Sequence, residues 1–308
     1  MLTVRPAGPG DAGDICALLN AVDTIEIGRP ETDLHEVEAD LNHPDVNLAT
    51  DSWLAHDGGR LVAYGLVWPG GEPGRIDCDH YVLPDRQAAG ARLLELMEAR
   101  AHEMADGAAG SLRLQLNVAP TLDTVLLTDR GWQTVRRYQV MVRDLDPAAD
   151  LPPEPPTGLT LRQCATDGAD RQRAHALIEN SFSEHFGHVE RDYEAWLDHL
   201  GARNLDWSLV WIASLPAEGD IGVLLTRDDR TSMGWLSHIG VRKDLRGRGI
   251  GGYLLRHGFA EYAARGRTTV GLGVDTLNAT GALALYEAHG MRMHFAVNTW
   301  ELPLHPQE

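Results

Sequence analysis

Ser237-His238-Ile239-Gly240-Val241 is an apolar strand that feeds a turn of arginines and glycines, Arg242-Lys243-Asp244-Leu245-Arg246-Gly247-Arg248-Gly249. The turn opens at once into a helix, with apolar residues at Ile250, Leu254, Leu255 and Phe259. Strand, glycine turn and helix in that order make an anion site. Glycines let the backbone come close, and the first unpaired N–H groups of the helix point at whatever negative group sits there. A phosphate fits, held by Arg246, Gly247, Arg248, Gly249, Ile250, Gly251 and Gly252, and the two arginines add charge that does not titrate near neutral pH.

Downstream, Val270 to Gly290 reads as a second strand, a turn holding Asn278, a helix capped near Thr280 and a closing Gly290. Together the two segments resemble the GNAT superfamily of acyl-CoA-dependent N-acetyltransferases. Its pyrophosphate loop reads Gln/Arg-x-x-Gly-x-Gly/Ala, matched by Arg246, Gly249 and Gly251. Its later block reads Asn, Gly-Ala, Leu-Tyr-Glu and Gly-Phe; here stand Asn278, Gly281-Ala282, Leu285-Tyr286-Glu287 and Gly290-Met291. The resemblance spans residues from about Met233 to Glu301.

The resemblance implies acetyl-CoA as co-substrate and assigns roles by position. Tyr286 would give its phenolic proton to the departing sulfur. The strand ending at Val241 would splay from its neighbour, leaving backbone groups around Ile239 and Val241 to hold the pantetheine and polarise the thioester, with Asn278 tying the splayed edge to the cofactor. The general base is less plain. Relatives place a carboxylate or histidine on this strand at positions sharing the parity of Val241, which are Trp235 and Ser237, and neither is a good base. His238 has a suitable intrinsic pKa, but ideal alternation turns it to the other face unless a bulge intervenes. The stretch Asn180 to Leu197 corresponds to the acceptor-lining connection of the family, so Glu184, His185 and Trp196 are expected to contact the acceptor, with Ser237 beside them. His185 and His188 lack further ligands at metal spacing, and no metal is expected.

A chain of 308 residues suggests two domains of about 150. Between Asp144 and Gly158 lie five prolines and almost no apolar periodicity, which reads as a stiff linker. Its two sides open alike, Leu2-Thr3-Val4-Arg5 against Leu159-Thr160-Leu161-Arg162, and close alike, Gly131-Trp132 against Gly290-Met291. This is an internal duplication. The expected architecture is α/β, of α+β type with mixed sheets: a degenerate GNAT-like domain at 1–146, a linker at 147–157 and a catalytic GNAT domain at 158–308. The first copy is degenerate because Asp85-Arg86-Gln87-Ala88-Ala89-Gly90 replaces the glycine loop, two residues shorter, and Leu127 takes the place of Tyr286.

The net charge of −18 argues against nucleic acid and is compatible with steering cationic partners. Residues 1–150 carry 25 acidic and 12 basic side chains, a balance of −13, which leaves −5 for the rest. Three scattered cysteines, Cys16, Cys78 and Cys164, and the lack of an apolar leader or of eighteen consecutive apolar residues point to a cytoplasmic protein off the membrane, a monomer or homodimer. The expected reaction is acetyl transfer to a primary amine of a small molecule by direct attack, since no cysteine lies near the motifs. The competing class is a non-catalytic acyl-CoA-binding sensor or scaffold. The tandem architecture is similar to that of mycothiol synthase-like proteins, which acetylate a cysteinyl amine, but those carry an acidic residue where Trp235 stands.

Overall fold

The computed structural model describes residues 1–199, 205–230, 232–277 and 280–305. By packing it divides into Met1–Tyr138 with the residues from Phe295 onward, and Gln139–His294. In the first unit β1 (Leu2–Arg5) lies antiparallel to β2 (Ser52–Asp57), reached through α1 (Ala12–Glu26), α2 (Leu34–Leu41) and α3 (Leu48–Asp51). β3 (Arg60–Pro69) and β4 (Arg75–Val82) continue the meander, and the crossover helix α4 (Gln87–Ala105) returns the chain to β5 (Gly110–Asn117), parallel to β4. Past α5 (Val125–Thr128), the next strand paired with β5 comes from residues 297–304.

Strict alternation gives β4 two different faces. Ile76, Cys78, His80 and Val82 are buried, His80 bonding to Gly90 of α4, whereas Asp77, Asp79 and Tyr81 turn toward the face where α1 packs.

In the second unit β6 (Gln133–Asp144) supplies residues 139–144. β7 (Thr160–Gln163), α6 (Gly168–Phe182), α7 (Tyr193–His199), β8 (Val210–Leu215), β9 (Gly219–Arg227), β10 (Gly234–Val241), α8 (Ile250–Ala264), β11 (Thr269–Asp275), α9 (Ala282–Ala288) and the start of β12 (Arg292–Leu304) follow in order. The sheet runs β6-β11-β10-β9-β8-β7. β9 is apolar on both faces because a helix covers each. Leu224 joins Leu254 and Leu255 of α8 in one core, and Val223 and Leu225 join Leu177 and Ile178 of α6 in another.

The units do not follow chain order, since strand pairing at β5 recruits the end of the sequence. The proline-rich 147–157 stretch lies within Gln139–His294. The same succession of strand, crossover helix and parallel strand appears in both units, as β4-α4-β5 and as β10-α8-β11.

Candidate active site

β10 is irregular where it matters. Its antiparallel register with β9 runs Leu236↔Thr226 and then His238↔Leu225, so Ser237 is an extra residue in a β-bulge. Before it Leu236 packs on α8, and after it Ile239 and Val241 join the same α8-side core. His238 and Gly240 therefore face α6. The His238 ring meets Phe182 edge-on at 5.1 Å, and a Cβ on Gly240 would stand 2.9 Å from the Ser181 side chain, which is why that position is glycine. From His238 to Val241 the alternation is regular, so His238 stands on the face opposite Val241; the bulge shifts only Leu236 and Trp235 ahead of it.

The ladder to β11 is short. β10 pairs with it at Gly234↔Val270 and Trp235↔Gly271, and among the described residues no β11 partner follows from Ser237 to Val241. Backbone groups of a strand that leaves its neighbour stay available to a ligand. Ile239 and Val241 lie in this opened part.

Past Val241 the chain makes a single 3₁₀ turn at Lys243–Leu245 and reaches α8 through Gly247 and Gly249, both left-handed with φ of 77° and 78°. Only glycine adopts that conformation without strain. Built Cβ positions on either residue meet nothing within 4 Å, so the space before the helix is open. Gly249 caps α8 with no side chain, and the first intrahelical bond to its carbonyl comes from the Tyr253 N–H. The amides of Ile250, Gly251 and Gly252 form the first turn ahead of it, at the positive end of a 15-residue helix. Gly251 and Gly252 also let α9 come close, through Leu285 and His289.

The arginines divide their work. Arg246 donates from Nε to the Val241 carbonyl and from Nη2 to the Ser181 carbonyl, each at 3.1 Å, and so braces the end of β10 against α6. Arg248 is largely exposed, its nearest carboxylate, on Glu218, 3.9 Å away.

Tyr286 sits on α9, partly buried against the α8-side core, and burial pushes its phenol up to about 12. Among the described residues its hydroxyl has no hydrogen-bond partner. On the α6 side, burial first, then His185 and Arg227, push His238 down to about 4, so it is neutral near pH 7. Among the described residues its Nδ1 and the Ser181 Oγ are buried without a partner. His185 packs on the other side of Phe182, with ring centres 4.4 Å apart, and burial also lowers its pKa.

The remaining expected residues scatter. Glu184 is exposed and bonded to Lys243 at 2.6 Å. Trp196 is 3% exposed, inside the core beside His175 and Trp207, so it meets core side chains rather than an open pocket. His188 turns to Glu179 at 3.2 Å, and no group of three His, Cys, Asp or Glu among the described residues could hold a metal ion. Ser237 stands half-buried at the bulge, and Asn278 lies outside the described residues. Sequence reasoning had not singled out Ser181 or Phe182. Their signal was their place in the acceptor-lining stretch, one helical turn from His185.

Residues 206–291 match the family model described as an acetyltransferase (GNAT) domain. No curated protein matches the chain. Among solved structures, a GCN5-related N-acetyltransferase from Sphaerobacter thermophilus is 26% identical with a TM-score of 0.85, covering 100% of this chain and 97% of that one. A tandem GNAT protein from the clavulanic acid biosynthesis pathway is 19% identical with a TM-score of 0.70, and the match covers all of both chains. A GCN5-related glucosamine N-acetyltransferase region of a fungal multi-domain GH3 β-N-acetylglucosaminidase is 15% identical with a TM-score of 0.70, covering 98% of this chain and 38% of that one. Residues 206–291 thus belong to the GNAT acetyltransferase domain family, in a chain that has the fold of tandem GNAT structures.

Proposed function

We propose that the chain is an acetyl-CoA-dependent N-acetyltransferase whose second unit moves an acetyl group to the primary amine of a small molecule by direct attack. The observation that carries this reading is the opened β10–β11 ladder, with an uncapped glycine helix start next to it and a neutral, unpartnered histidine on the α6 face. The open space before Gly249 fits a pyrophosphate, and the amides of Ile250, Gly251 and Gly252 would hold it with help from the exposed Arg248. When bound, acetyl-CoA supplies an activated thioester carbonyl.

This chain's residues do the rest. The free backbone at Ile239 and Val241 orients the pantetheine arm and polarises the carbonyl. His238, uncharged and desolvated, accepts the proton that the amine loses on acylation, with Ser181 Oγ placed to orient the amine. Tyr286 keeps its proton at neutral pH and donates it to the leaving thiolate. The three cysteines do not compete for the acyl group, because burial raises every one of their thiols, Cys164 to about 12.

The test is transfer from acetyl-CoA to a panel of small primary amines by wild type and Tyr286→Phe. Loss of the phenol should lower turnover by roughly ten- to a thousandfold with acetyl-CoA affinity unchanged. Wild-type rates in the phenylalanine variant across pH 6 to 9 would make Tyr286 a packing residue. Tight acetyl-CoA binding with no transfer to any amine would favour the non-catalytic sensor. Cysteinyl amines belong in the panel, although the Trp235 ring is already covered by the Arg230 guanidinium at 3.9 Å.

A further inference from the structure

The opening between β10 and β11 has a closed end, flanked by two residues that the proposed reaction does not use. Trp235 pairs with Gly271, and among the described residues it is the last of β10 to meet β11. A pantetheine arm that starts at the α8 amides and follows β10 backward past Val241 and Ile239 brings its thioester to this end. What surrounds Trp235 therefore meets the acceptor.

Gly234 and Leu236 lie against α8, at Tyr262 and Gly258, so Trp235 between them stands on the other face. Because Ser237 is the bulged residue, His238 shares that face with it. On β11 the same face is bare, since Val270, Leu272 and Val274 belong to the α8-side core and Gly271 and Gly273 alternate with them. The Trp235 ring takes the room the glycines leave: a Cβ on Gly271 would stand 3.2 Å from it and one on Gly273 3.9 Å. Over this ring sits the Arg230 guanidinium, 3.9 Å from its centre.

Arg230 differs from the arginines around it. Arg227 is bonded to Asp229 and Arg267 to Asp228. Among the described residues Arg230 meets no carboxylate and makes no hydrogen bond, and it is half-buried on the indole. A guanidinium seated on a ring is held in place while its N–H groups stay unused, which prepares it for an anion.

We infer that the acceptor is an amino acid, its carboxylate taken by Arg230 above Trp235 while its amine reaches His238 and the thioester. This rests on the acetyltransferase reading of the second unit. One planar, permanently charged guanidinium matches one carboxylate in a two-point contact, whereas a doubly charged phosphate calls for a second cation, and Arg227 and Arg267 are already paired. Asp275 continues the bare face at the far end of β11, so acid and cation lie at opposite ends of the opened stretch and orient a zwitterion with its amine away from Arg230. The transfer itself is unchanged: the C–N bond forms as the C–S bond breaks, His238 takes the amine's proton and Tyr286 gives one to the sulfur.

Calorimetry on the CoA-saturated full chain, which binds an acceptor without turnover, tests this with glycine, L-leucine and 4-aminobutyrate, each against its own amide. At least one acid should bind about tenfold or more tightly than its amide. Arg230→Ala should erase that preference, and Arg230→Lys should restore part of it. In acetyl transfer the KM of that acid should rise by about tenfold or more in Arg230→Ala with kcat held, and the KM of the amide should not move. Should the alanine variant fail to fold, Arg230→Lys decides, by losing more affinity for the acid than for the amide. Equal binding of acid and amide in wild type, a preference that survives Arg230→Ala, or no binding of any compound would overturn the proposal. An Arg230-dependent preference without transfer to any amine would support the carboxylate site and overturn the acetyltransferase reading alone.

Discussion

The two units start their crossover helices from the same topology and finish them oppositely. In the first, α4 begins on Arg86, and the Gln87 side chain donates to the Pro84 and Thr121 carbonyls while accepting from the Asp123 N–H. A Cβ on Gly90 would already touch His80, Leu122 and Val82 at 3.3 Å each. In the second, α8 begins on Gly249 with no side-chain cap, and among the described residues a Cβ there would meet nothing within 4 Å. A helix N-terminus is a ready anion site wherever the protein leaves it alone. One copy has filled that place with its own side chains, and the other has kept it clear. The flanking ladder follows suit, holding four pairs between β4 and β5 but two between β10 and β11.

The strongest way to break this contrast is to fill the open end. Gly249→Asp should lower CoA affinity by about a hundredfold or more, since a carboxylate faces the pyrophosphate in low dielectric. Aspartate tolerates the left-handed backbone better than most residues, so the fold should survive. Gly90→Ala should do the reverse, leaving CoA affinity unchanged and lowering stability by about 1–3 kcal/mol through overpacking. Calorimetry should return one CoA per chain. Two equivalent sites, or an unchanged affinity in folded Gly249→Asp, would dissolve the distinction.

Much of this was legible in residues before coordinates. Glycines at 247 and 249 announce a left-handed turn, and the Asp85–Gly90 replacement announces its loss, because both are local backbone chemistry. What was not legible depends on pairing partners. The bulge at Ser237 is a mismatch in count between β10 and β9, invisible in either strand alone, and it decides that Leu236 shares the α8 face with Ile239 and Val241. Trp196 is amphipathic in sequence and core in structure because His175, Tyr193 and Trp207 close around it. Recruitment of residues 297–304 beside β5 rests on long-range strand pairing that no spacing encodes.

A smaller effect sharpens the comparison at β4 and β10, where Asp79 and His238 hold matching places three residues before Val82 and Val241. His238→Ala should lower kcat/KM by about ten- to a hundredfold, at the low end for a general base because its pKa is far below that of an amine. It should also change acid stability. With the folded pKa near 4 against an ordinary 6.5, the unfolded chain binds the extra proton, so wild type loses stability as pH falls from about 6.5 to 4. The alanine variant should lack that part of the slope in urea titrations at several pH values. An identical slope would mean that His238 is not desolvated.

The smallest effect concerns a feature that both copies kept. Arg5 at the end of β1 grips Asp11 at 2.6 and 2.8 Å, and Arg162 on β7 grips Asp170 at 3.0 and 3.1 Å. The second arginine does more, also reaching Asp220 at 2.7 and 2.8 Å and Ser214 at 2.6 Å, so it ties the start of α6 to the β8–β9 turn. Arg5→Gln should cost under about 1 kcal/mol, since half of that side chain is in water and its pair is screened. Arg162→Gln should cost about 1–2 kcal/mol, since it removes the guanidinium shared by two carboxylates and, among the described residues, leaves Asp170 only Arg173 and Asp220 only Ser214. The pH sign is shared: Arg5 holds Asp11 down to about 2 from 3.8, so that pair contributes fully above about pH 4 and fades as the pH falls toward 2, and Arg162 first among the causes lowers Asp170 and Asp220, so its pairs likewise lose their contribution as the pH falls below the ordinary carboxylate range. Hydrogen exchange resolved to β1 and β7 peptides reads each unit separately. If the two substitutions open their strands equally at pH 7, the added contacts to Asp220 and Ser214 contribute nothing, and the second unit is braced no better than the first.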